Sequence, residues 1–174
     1  MGIATLVLPT RISLGEYLNT SYSPDRDFLD GEVVERNVGK RKHSYAQIEI
    51  GAWFVARKKE LGLQALTELR LQVTPTRVRI PDIIVAQTPL PDEEVFTELP
   101  YLCIEIMSPD DTMASLQDRL DDYLAFGVPN VWVVDPWKFR GWQITAEGWT
   151  VMSDRTMRTA DGRLALPLAD VLLP

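Results

Sequence analysis

One cysteine, Cys103, and one histidine, His43, are the only soft metal ligands of their kind in the 174-residue chain. No internal disulfide can form, and no cysteine zinc cluster or histidine-rich centre can be assembled. Any metal is expected to be a hard one, bound through oxygen. No apolar run approaches the length of a membrane span. Residues 1–9 are mildly apolar but carry no basic leader and are cut short by Pro9, so a cleaved signal is not expected. These absences point to a cytoplasmic protein with no membrane partner. Disorder is not expected either, since 45% of the residues are hydrophobic and 25% charged. The length favours one domain, residues 1–174, with a sizeable core.

The net charge is −7, which argues against a general nucleic-acid coat protein. The charge is uneven, however. Residues 1–80 carry a net +3 and residues 81–174 a net −10. The basic residues cluster at Arg36 with Lys40, Arg41 and Lys42, at Arg57, Lys58 and Lys59, and at Arg77 and Arg79. Each cluster can be read as solvated loop and helix-end charge. Together they can also form a basic rim that touches phosphates.

The residue patterns predict an alternation of strands and helices. Ser13-Leu14-Gly15-Glu16 is a capping box for a short helix. Asp30-Gly31 reads as a hairpin tip or a bulge between two short strands. A helix is predicted over 43–61, with Ala46, Ile50, Trp53, Phe54 and Leu61 near one face and Gly62 as its stop. Strands follow over 68–74 and 78–86, then a Pro- and acid-rich loop over 87–99, then a buried strand over 101–107. A helix over 112–126 repeats Met113, Leu116, Leu120, Tyr123 and Leu124 and ends at Gly127. A fourth buried strand covers 131–134. A helix between two buried strands implies a crossover and parallel pairing. The runs 141–145 and 149–152 read as an antiparallel finish, and 166–172 as a short closing helix. This order suits an α/β (α+β) fold, a central mixed β-sheet flanked by helices.

Two carboxylates stand out. Asp82 opens a very apolar strand, and Glu105 lies inside Leu102-Cys103-Ile104-Glu105-Ile106-Met107. An ionised carboxylate in such a setting needs a partner. A divalent metal shared by the two would answer that need. So would one arginine for each, or a strand-end position that reaches water. His43 is read as a helix-start residue, Tyr45 and Gln47 as surface, Cys103, Met107 and Met113 as core. Trp137 follows a turn and either packs or lies at a rim. Trp142 and Trp149 either complete the core or hide in a homodimer.

The series Asp30-Gly31-Glu32, His43 opening a helix, Pro81-Asp82, Glu105-Ile106-Met107-Ser108-Pro109, Tyr123, Gly127-Val128-Pro129-Asn130-Val131-Trp132 and Asp135-Pro136 resembles the Uma2 (DUF820) family over about residues 13–172. That resemblance implies the PD-(D/E)XK, restriction-endonuclease-like fold and an Mg²⁺- or Mn²⁺-dependent endonuclease acting on nucleic acid, with DNA the first expectation. It implies that Asp82 and Glu105 bind the metal and that Glu32 approaches the same site, with Glu49 as an alternative acid. The lysine expected two residues after the second acid is absent, and Met107 stands there. The resemblance puts Arg119, four residues before Tyr123, in the place of a substituting helix lysine. Arginine keeps the charge and can hold a phosphate, but it is a poor general base. A nuclease-fold binding or regulatory module without turnover is therefore the rival reading. A two-carboxylate glycosidase is a third, with no aromatic sugar platform to single it out.

Overall fold

The computed structural model describes residues 11–37 and 39–173; the apolar start at 1–9 lies outside them. Helix α1, Leu14–Leu18, begins where the Ser13 hydroxyl accepts the Glu16 N–H. Strands β1, Asp27–Leu29, and β2, Glu32–Val34, form a hairpin. Asp30 and Gly31 both take positive φ at its tip, the geometry that follows the natural twist of paired strands. Helix α2 spans Arg41–Leu61 and stops at Gly62, whose φ of 64° closes the last turn.

Five strands then precede the next helix, and one follows it directly. These are β3 (Leu63–Thr67), β4 (Leu71–Thr74), β5 (Arg77–Arg79), β6 (Ile83–Gln87) and β7 (Leu102–Ile106), then helix α3 (Met113–Phe126), then β8 (Val131–Asp135). The Thr112 hydroxyl caps α3 by accepting the Ser115 N–H, and Gly127 ends it. The chain closes with β9 (Arg140–Thr145), β10 (Gly148–Val151), β11 (Thr156–Arg158), β12 (Ala165–Pro167) and a 3₁₀ turn at Leu168–Asp170.

The large sheet runs β10-β9-β8-β7-β6-β3, and only β7 and β8 pair in parallel, joined by the α3 crossover. A smaller sheet runs β2-β1-β5-β4, and β11 pairs with β12. Alternation along the strands divides the core between two faces. Ile83, Val85, Leu102, Ile104, Trp132 and Val134 meet Ala46, Ile50 and Phe54 of α2. Ile84, Cys103, Val131 and Val133 meet Leu116, Leu120 and Tyr123 of α3. No helix among the described residues is long and apolar enough to cross a membrane.

Several expectations are corrected. The run 78–86 is not one strand. It divides into β5 and β6, which belong to different sheets. Pro81 has no N–H to offer a ladder, so the chain leaves one sheet and enters the other there. Strand β3 was not anticipated, because it follows the helix stop without a gap. β4 starts only at Leu71, and Glu68 lies in a turn with φ of 52°. The segment 166–172 forms β12 and a 3₁₀ turn rather than a helix. Met113 is exposed at the start of α3, not core. Trp142 and Trp149 meet edge to face at 6.0 Å, pack on the α3-side core, and Trp149 donates to Gln117. They pack against the core and stay partly exposed.

Candidate active site

The break between β5 and β6 places Asp82 one residue before the ladder of β6 with β7. In that ladder Ile83 faces Ile104, so Asp82 comes opposite Glu105. Both carboxylates line one cleft of about 20 Å³. Asp82 is 5% exposed and Glu105 only 1%.

Asp82 is held from three directions. Its Oδ2 accepts the Ile106 N–H at 2.7 Å and faces His43 Nε2 at 3.2 Å. Its Oδ1 accepts from Arg36 Nη2 at 3.2 Å. Burial alone would raise this carboxyl, but the hydrogen bond and charge of His43, the charge of Arg36 and the Ile106 N–H hold it below its ordinary value. His43 responds in kind. Burial lowers its pKa, and the Asp82 hydrogen bond and charge outweigh that and raise it. Gly39 makes the imidazole's position attainable, since a Cβ there would lie 2.7 Å from Nδ1.

Glu105 is held from α3. Its Oε2 accepts from Arg119 Nε at 3.0 Å, and its Oε1 accepts the Tyr123 hydroxyl at 2.6 Å. Arg119 and Tyr123 lie one turn apart on α3, so a single helix face supplies both donors. Burial pushes Glu105 up to about 7, Arg119 opposes the rise, and the charge of Asp82 adds to it. Asp82 is therefore the ionised carboxylate of the pair, and Glu105 the one inclined to keep a proton.

An ion-pair network supports the cleft. Arg36 also faces Asp27 at 3.8 Å, and Arg79 Nη1 meets the other oxygen of Asp27 at 3.0 Å. Arg79 reaches across to Asp118 and Asp122 on α3. Asp111 accepts the Ser108 N–H at 2.7 Å and the Asn37 amide at 3.0 Å, and faces Arg119 Nη2 at 3.7 Å. The small sheet is thereby tied to α3, and α3 to the end of β7.

Of the residues marked from the sequence, the fold brings Asp82, Glu105 and Arg119 to one cleft. Glu32 stays on its hairpin, where it faces Arg11 at 3.8 Å, and it does not line the cleft. Glu49 is half-buried on α2 and also stays out. Gln47, read as surface, donates to the Asp82 carbonyl at 3.0 Å. Lys40 pairs with Asp110 at 2.9 Å beside the cleft. The sequence reading missed Arg36, Asp27 and Asp111 as site neighbours, and it took His43 for a helix-start residue only. His43 did carry a signal. It shares a helical face with Ala46 and Ile50, the buried side of α2.

Each carboxylate has its own guanidinium, so charge alone does not demand a metal. The donor set still suits a hard cation. The cleft has room for about one water-sized guest. Mg²⁺ is commonly held by one or two carboxylates, waters and a substrate phosphate rather than by an all-protein cage. Asp82 and Glu105 match that pattern. Among the described residues no group of three or more His, Cys, Asp or Glu is placed to hold a metal, so a closed protein cage does not fit.

Comparison with known proteins agrees with this architecture. A crystal structure of a DUF820 protein from Anabaena variabilis ATCC 29413, titled a "putative nuclease", superposes with a TM-score of 0.79 at 22% identity. The match covers 92% of this chain and 97% of that one, and shows a shared fold. A second structure, a DrdV-DNA complex, matches at a TM-score of 0.44 and 15% identity over 76% of this chain and 11% of that one. No curated protein matches. The family profile of Uma2, described as "Putative restriction endonuclease", matches residues 16–149. With that span matched, the chain belongs to the Uma2 family.

Proposed function

We propose that the cleft hydrolyses a phosphodiester bond of nucleic acid, DNA first, with the help of Mg²⁺ or Mn²⁺. One observation carries the reading: two carboxylates from neighbouring strands share a cleft with two arginines, at the end of the parallel strand pair. Asp82 and Glu105 would hold the cation through oxygen, with the Ile106 carbonyl as a further donor. Bound there, the cation would polarise the phosphate and favour attack by water.

The chain's own residues have separable tasks. Arg119 and Arg36 neutralise and orient the phosphate once it competes for their guanidinium groups. Neither serves as a base, because an arginine does not release its proton at neutral pH. His43 clamps Asp82 and keeps it ionised. Tyr123 holds Glu105 at the correct height on the sheet. Lys40, Arg41 and Lys42, at the start of α2, would meet the flanking backbone, Lys40 by exchanging Asp110 for a phosphate.

Incubation of plasmid and single-stranded DNA with Mg²⁺ or Mn²⁺ tests this. Glu105→Ala and Asp82→Ala are expected to abolish cleavage. Equal cleavage by either variant, or by wild type in excess EDTA, refutes the assignment.

A second reading has its own observation. The carboxylates are already compensated by arginines, and Met107 replaces the lysine of the nuclease motif. The fold would then bind nucleic acid without turnover. Thermal melting separates the two readings. An Mg²⁺- or Mn²⁺-dependent rise in Tm supports the metal centre, since a ligand specific to the folded state stabilises it. No rise favours the binding module.

A further inference from the structure

Beside the cleft lies a second and larger hollow of about 440 Å³. Ser108 and Asp111 line both, so the two spaces adjoin. The hollow is different in character. Its walls include Trp137, Met113, Met107 and Pro109, with Lys138 at the edge. Trp137 and Met113 are among the exposed large hydrophobic residues, at 36% and 57%. An aromatic ring and an exposed methionine thus stand next to the buried carboxylates.

The turn that carries the ring is held in place. Asp135, buried at the carboxyl end of β8, accepts the N–H groups of Trp137 and Lys138 at 2.9 and 3.0 Å through one oxygen. That turn fixes the backbone of Trp137 at the mouth of the crevice beyond β7 and β8. Crevices at the carboxyl ends of parallel strands are the usual ligand sites of α/β sheets. A further observation points to a ligand. The Ser108 hydroxyl is buried between the two spaces and has no hydrogen-bond partner among the described residues. Buried hydroxyls are normally paired.

We infer that this hollow is a nucleobase subsite: it takes an unpaired base of the strand whose phosphate occupies the neighbouring cleft, stacked on Trp137. The inference rests on the nucleic-acid reading of the cleft and adds the substrate class. A base inside a duplex has both faces covered by its neighbours. Only a single-stranded, end or flipped nucleotide can present a free face to the ring. Lys138 then faces the adjoining phosphate, and the Ser108 hydroxyl gains a partner if it turns toward the strand where it passes from cleft to hollow. Stacking also suits an acidic protein. At a net charge of −7 it draws little affinity from general phosphate attraction, and ring-to-base contact does not depend on salt in the same way.

Fluorescence anisotropy of a labelled short single-stranded DNA tests the subsite, with Ca²⁺ replacing Mg²⁺. Three probes are compared: the single strand, its blunt duplex, and a single strand with abasic positions. Wild type is expected to prefer the single strand. Trp137→Ala should weaken single-strand binding by about 5- to 150-fold, and Trp137→Phe by less. Abasic positions should weaken wild type but add little to the loss in Trp137→Ala. If the alanine variant folds poorly, the abasic probe on wild type still reads base contact and Trp137→Phe assigns it to the ring; equal wild-type binding of the abasic and intact strands overturns the subsite. Binding that ignores both Trp137 and the missing bases overturns the subsite and leaves the cleft reading intact. Absence of binding to every probe overturns both.

Discussion

Glu105→Gln probes the cleft without any nucleic acid. The ordinary carboxyl value is 4.5, and the buried Glu105 sits at about 7. Between those values the folded protein keeps a proton that the unfolded chain has released. The native state binds more protons, so stability falls as pH rises through that window. At about 1.36 kcal/mol per pH unit, the difference amounts to about 3 kcal/mol between acid and neutral pH. Glutamine keeps the shape and its one carbonyl oxygen still accepts from one of the two donors, Arg119 or Tyr123, but it does not titrate. The stability of wild type relative to Glu105→Gln should therefore drop by about 3 kcal/mol from about pH 4 to about pH 8. Asp82 acts with the opposite sign. Its lowered value adds stability above 3.8 that is lost as pH falls through the folded value. His43, raised above 6.5, adds stability below that value, lost as pH rises through the folded one. Both titrate in wild type and variant, so only the part of their shifts that comes from the Glu105 charge enters the comparison. Urea denaturation in EDTA across the range measures the difference. Parallel pH profiles for the two proteins would refute the electrostatic account of Glu105.

Three other substitutions test the frame around the cleft. Arg79→Met leaves Asp27 buried and without its nearest guanidinium, and should cost about 3–5 kcal/mol in urea unfolding; a loss under about 1 kcal/mol contradicts the network. Leu120→Ala, at a fully buried position on α3, should cost about 2–5 kcal/mol by the same measurement. A neutral result would mean that α3 is not anchored there. Gly39→Ala should push the imidazole off Asp82, so the His43 titration followed by NMR should fall toward 6.5. An unchanged titration would remove Gly39 from the argument.

Much of the architecture was legible because it is written in local periods. Ala46, Ile50 and Phe54 mark one face of α2, and Leu116, Leu120 and Tyr123 one face of α3. Gly62 and Gly127 end these helices in the left-handed conformation that favours glycine. The acid of a strand otherwise apolar, Glu105, is conspicuous for the same reason: nothing local pairs it. What failed to show were features set by distant partners. β3 is defined by its pairing with β6, and β12 by its pairing with β11, not by a strong pattern of their own. The division of 78–86 between two sheets depends on where each half finds a neighbour. Arg36, Asp27 and Asp111 join the site through contacts that span tens of residues of chain.

The amino-acid order by itself determined the helix faces, the buried strands, their crossover and the two acids placed among apolar neighbours, because burial and backbone preference act over a few residues. Which cations meet those acids was decided only by the tertiary structure. An arginine looks alike on any loop until folding brings it within about 3 Å of a carboxylate, where a charge-assisted hydrogen bond forms. The same holds for Glu32, an acid in a family motif, which folding leaves on the hairpin beside Arg11. It holds too for Trp137, whose ring becomes a wall of a hollow only once β7 and β8 lie side by side.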